Sequence, residues 1–140
     1  MEDIIRILHE GNYSCVVKKN DKIHTFSQRG VADLYDMLKS KPYFLKDACI
    51  ADKVVGKAAA ALMILGGISR LYTDTISSSA LLLLHESDIK VDYTHVVPFI
   101  QNRDKTGWCP LEKLSYEITS AETIFPLIEE FISKIRKPEL

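Results

Sequence analysis

The chain has 140 residues, 18 basic and 19 acidic side chains, and a formal net charge of −1. That length carries one domain, residues 1–140, around one core, and the near-balance of charge excludes a general nucleic-acid binder with a basic face. The three cysteines, Cys15, Cys49 and Cys109, lie far apart with no C-x-x-C, which argues against a disulfide framework or a zinc knuckle and for reduced thiols in a cytoplasmic protein.

In chain order, Ile4, Ile5 and Leu8 have helical spacing, with Gly11 as C-cap. Tyr13–Lys18 and Ile23–Phe26 read as strands joined by the turn Lys19-Asn20-Asp21-Lys22, a hairpin. Val31, Leu34, Tyr35 and Leu38 mark a short amphipathic helix that ends before Pro42. Ala48–Ala51 reads as a short buried strand, and a helix from Asp52 to Leu65 follows, stopped by Gly66-Gly67. A strand over Ile68–Ile76 leads to a helix over about Ser78–Glu86, apolar nearly all round and therefore heavily buried. Ile89–Val97 reads as a strand, Gln101–Cys109 as a polar loop and Pro110–Tyr116 as a short helix. Thr119-Ser120-Ala121-Glu122 has capping-box spacing and opens the last helix, with the stripe Ile124, Leu127, Ile128, Phe131 and Ile135; Pro126 should kink it or delay its start.

A hairpin followed by alternating strands and helices predicts an α/β domain of three layers, helices covering both faces of one mixed sheet of about five strands. The start at Met1-Glu2-Asp3 shows no signal peptide, and the apolar run Ala58–Leu65 is too short to span a bilayer, so no membrane role is expected. A homo-oligomer stays open.

Lys53 and Lys57 stand near the positive end of the predicted helix dipole, each at a cost of about 0.3–1 kcal/mol. Gly56 between them costs about 1 kcal/mol in a helix interior. With Asp52 as N-cap, these choices point to a site for an anionic or polar ligand, the ammoniums and helix N–H groups aimed alike. The alternative is that both lysines pair with acidic neighbours and Gly56 lets the helix approach the sheet. Ser77 and Ser78 fit either ligand contact or capping alone. In open α/β sheets, ligands bind where strands end and such helices begin.

The stretch NRDKTGWCPLE, residues 102–112, is the second cluster. Pro110 suits the first helical position, which makes Cys109 the N-cap and Glu112 the third residue of the helix. The dipole should stabilise a Cys109 thiolate, helped by Arg103 or Lys105, so Cys109 is the best nucleophile in the chain. Glu112 serves either as acid or base, or reaches back to the Cys109 N–H. Asn102 and Arg103 are further candidate ligand contacts, and solvated charges around a packed Trp108 are the plain alternative. The four histidines show no paired metal spacing, so no metal and no cofactor is expected.

The motifs ADKVVGKAAA (51–60) and NRDKTGWCPLE (102–112) resemble a small prokaryotic family filed as domain of unknown function 1893, over about Tyr13 to Glu112. The resemblance implies a cytidine-deaminase-like fold and a link to iron hydrogenases, to which such domains are fused. Deaminases carry H-x-E or C-x-E at one helix start and P-C-x-x-C at the next. Here the slots hold Asp52-Lys53-Val54 and Ile76-Ser77-Ser78-Ser79-Ala80, without zinc ligands or the proton-shuttling Glu. Zinc deamination needs those ligands and that carboxylate, so it is not expected.

Three readings follow. The first is binding of a small anionic or nucleotide-like ligand by Asp52, Lys53, Lys57, Ser77, Ser78, Asn102 and Arg103. The second is an enzyme with Cys109 as nucleophile or redox group, assisted by Glu112. The third is an interaction or regulatory module for a redox enzyme such as an iron hydrogenase.

Overall fold

The computed structural model describes residues 1–28, 31–101 and 105–136. Its elements are α1 (Glu2–Glu10), β1 (Cys15–Lys19), β2 (Lys22–Phe26), α2 (Ala32–Ser40), β3 (Cys49–Val55), α3 (Lys57–Gly66), β4 (Arg70–Ser77), α4 (Ser78–His85), β5 (Lys90–Val97), α5 (Pro110–Ser115) and α6 (Ala121–Arg136).

The strands form one mixed sheet in the order β2-β1-β3-β4-β5. β1 pairs antiparallel with both β2 and β3, while β3, β4 and β5 run parallel. The parallel half follows from its connections, since α3 and α4 carry the chain back over one face. On that face Val17, Ile50 and Leu71 meet Ala61, Leu62 and Met63 of α3 and Ile124 and Ile128 of α6 in the main core. The other face is thinner. Ile4 and Leu8 of α1 are buried there over Val16 and Ala51, with Ile5, Ile7 and Tyr13 packed around them. The molecule is thus a three-layer α/β domain with very unequal outer layers.

α3 is buried along nearly its whole length, from Lys57 to Met63 and again at Gly66. Its alanines have no χ freedom to lose and let α4 and α6 approach. It ends at Gly67, whose φ of 76° lies in the left-handed region, with the Gly67 and Ile68 N–H groups donating back to the Met63 carbonyl; that geometry favours glycine.

Two helix starts differ from expectation. β3 continues through Asp52, Lys53 and Val54 to Val55, and Gly56 caps α3 in an extended conformation. Asp52 is therefore a strand residue rather than a helix cap, and Lys53 precedes the helix altogether. The physical reason is pairing: β4 offers a partner register as far as Val55↔Ile76, and those bonds outbid an earlier helix start. At α6, Ser120 rather than Thr119 is the cap, accepting from the Thr123 N–H at 3.2 Å. The helix runs unbroken through Pro126.

Candidate functional site

The parallel strands β3 and β4 end side by side, and α3 and α4 start there. Gly56 joins β3 to α3, and Ser77 caps α4 by accepting from the Ala80 N–H at 3.2 Å. Into this corner α5 delivers Glu112. Its side chain is 2% exposed. The carboxylate accepts from the Lys57 N–H at 3.0 Å, Ser77 Oγ at 3.2 Å, Ser79 Oγ at 3.3 Å and the Ile100 N–H at 2.6 Å. A helix N-terminus, two hydroxyls and a loop amide thus form an oxyanion receptor, and its guest is the protein's own carboxylate.

Gly56 makes room for this arrangement, since a Cβ there would lie 3.1 Å from Ile100 and 3.4 Å from Glu112 Oε2. At the cap it also escapes the cost of a mid-helix glycine. Glu112 does not close a capping box on Cys109, whose N–H donates instead to the Ile100 carbonyl at 2.8 Å.

The lysines part company. The Lys57 ammonium turns to the Tyr116 carbonyl at 2.7 Å. Burial lowers its pKa, and the negative charge of Glu112 opposes the shift. Lys53 lies on the α1 side of the sheet and donates to Asn12 Oδ1 at 2.5 Å. They do not share a helix face. Ser78 donates to the Pro98 carbonyl at 3.4 Å, away from Glu112. Cys109 is partly buried against the main core. Asn102 and Arg103 lie outside the described residues.

Asp52 sits inside the sheet, opposite Cys15 on β1 and Thr73 on β4, where it accepts from the Val54 N–H at 3.3 Å. Burial pushes its carboxyl up to about 7, and burial together with the Asp52 charge pushes the Cys15 thiol well above its usual value. This pair belongs to the interior, not to the corner that Glu112 fills.

Beside the corner stands an aromatic group. Phe99 and Trp108 stack with centroids 4.5 Å apart, and Tyr116 meets Trp108 edge-on at 4.8 Å. A shallow depression of about 510 Å³ runs from Trp108 and Tyr116 past Lys113, Leu114, Glu117 and Ile118. Among the described residues, no group of three or more His, Cys, Asp or Glu side chains is placed to share a metal ion, and no helix is long and apolar enough to cross a membrane.

Residues 3–132 match the model of the family described as domain of unknown function DUF1893. The chain belongs to that family. Its fold is similar to the crystal structure of a DUF1893 family protein, TM1506, from Thermotoga maritima, with a TM-score of 0.85 and 25% identity over 92% of this chain and 87% of that one. Among curated proteins, none matches.

Sequence reasoning missed Ser79, the Ile100 amide and the Tyr116 carbonyl. Ser79 was legible as part of the serine triplet. The two backbone groups carry no side-chain signal.

Proposed function

We propose that this DUF1893 domain binds a small anionic or nucleotide-like molecule, and that Glu112 keeps the place of the ligand's anionic group when the site is free. The observation that carries the reading is the receptor itself, four donors from three segments already closed on one carboxylate. Such donors suit any carboxylate or phosphate oxygen. A shift of α5 would withdraw Glu112 and leave the Lys57 ammonium as counter-charge. The aromatic group and the depression beside Tyr116 suit a flat ring attached to that anion.

The test compares wild type with Glu112→Gln, which keeps the shape but loses the charge. Inorganic phosphate, acetate and adenosine and uridine monophosphates are titrated while melting temperature and Trp108 fluorescence are followed. At least one should stabilise the wild type, and the variant should bind it more tightly because its internal competitor is weakened. If no anion shifts either protein, or if the variant binds more weakly than the wild type, the reading is wrong.

A further inference from the structure

β5 is the last strand of the sheet, and among the described residues nothing pairs with its outer edge. It is an unusual edge to leave open. Seven of its eight residues, all but Thr94, pair with β4 in one constant register, and no proline interrupts it before Pro98. Such an edge is a template for another strand. Tyr93 and Val96 are each 45% exposed. The opposite edge, β2, has five residues and begins at Lys22, paired with Lys19.

We infer that β5 pairs antiparallel with β5 of a second copy of this chain, about a two-fold axis through Thr94. The sequence itself selects the axis. A two-fold perpendicular to the sheet keeps each face continuous, so one residue meets its own copy and opposed residues share a face. Centring on Lys90 or Asp92 sets like charges opposite each other, and centring on His95 opposes two imidazoles. Centring on Val91, Val96 or Val97 shortens the overlap. Tyr93 and Thr94 remain. A Tyr93 axis sets Val91 against His95 and Lys90 against Val96. A Thr94 axis sets Val91 against Val97, Asp92 against Val96 and Tyr93 against His95, each pair formed twice. Both axes put one charged residue against Val96, and the Val91–Val97 pair favours Thr94.

The open face supports the same axis. Thr94 Oγ1 lies 2.9 Å from the Tyr72 hydroxyl, which donates to Asp74 Oδ1 at 2.7 Å; His9 Nε2 lies 2.8 Å from that same oxygen. The row of polar groups therefore runs from α1 out to Thr94 and ends at the free edge. Tyr72 spends its one hydroxyl hydrogen on Asp74 and so accepts from Thr94. Across the axis one Thr94 keeps that bond and accepts, while its copy turns from Tyr72 to donate. Cross-strand threonine pairs are a favourable sheet contact. The product is a continuous ten-stranded sheet, with both thick helical layers on one side and the two α1 helices bounding a polar trough on the other.

Sedimentation and light scattering of the full chain test the inference. Wild type should have twice the mass of one chain, and Thr94→Lys, which sets two ammoniums on the axis, should have the mass of one chain with an unchanged circular dichroism spectrum. Thr94→Cys should gain an interchain disulfide under mild oxidation, over the level of the parent protein. Val91→Cys, far from its own copy in this register, should not. A wild type that stays at single-chain mass at every concentration, a Thr94→Lys variant that keeps the double mass, or equal cross-linking of both cysteine variants overturns it.

Discussion

Two polar assemblies sit on opposite sides of the same sheet, and they obey different rules. Around Glu112, donors from β4, α3, α4 and the chain after β5 close on one buried carboxylate. On the thin side, His9, Asp74, Tyr72 and Thr94 form a chain that is half open to water. In the first, the Lys57 and Ile100 N–H groups would be stranded if their acceptor were removed, while Ser77 and Ser79 would keep each other at 3.3 Å. In the second, water replaces whatever is lost. The lesson is that the number of hydrogen bonds says less about stability than what would take their place.

Glu112→Ala should break this contrast most visibly. It strands two backbone N–H groups and leaves a cavity, at a cost of about 3–5 kcal/mol, read by chemical denaturation. A loss below about 1 kcal/mol would show that water already reaches the corner.

Asp52→Asn tests burial without a strong partner. Because burial raises the folded-state value to about 7 from the ordinary 3.8, the folded chain holds a proton that the unfolded chain releases between these limits. Stability from this group is therefore full below about pH 4, falls as pH rises towards 7 and is flat above it. The variant should match wild type at pH 4 and exceed it at pH 8 by an amount on the order of 2–4 kcal/mol, measured by urea unfolding at both pH values. An advantage that does not grow with pH would contradict the burial argument.

On the open side, Tyr72→Phe should cost only about 0.5–1.5 kcal/mol. His9→Ala should cost about 0.5 kcal/mol or less, and less again in high salt. Thermal melts of the pair would sharpen the comparison. A loss from either that equals the loss from Glu112→Ala would erase it.

Most of the fold was readable in the sequence because periodicity and punctuation agree. The hairpin turn at residues 19–22, the glycine stop at Gly66-Gly67 and the serine start at Ser77 each carry a local signal. The join of β3 to α3 was not readable, since Asp52 followed by Lys53 looks like a helix start until β4 is known to offer pairing up to Ile76. Glu112 was singled out, but as an acid or base, or for a bond back to Cys109 within its own helix. Its true partners, Lys57 and Ser77, lie 55 and 35 residues away, and no local pattern encodes such distances. The row from His9 to Thr94 stayed hidden for the same reason.

The burial of α3 also has a consequence for how the protein is made. The helix that covers much of it, α6, is synthesised later than every other element described. Until α6 leaves the ribosome, the alanine surface of α3 lacks its cover, and the clasps from Tyr35 to Glu129 and from Asp36 to Arg136 cannot close. A nascent chain that pauses before residue 121 therefore exposes a greasy seam to its neighbours until α6 is made.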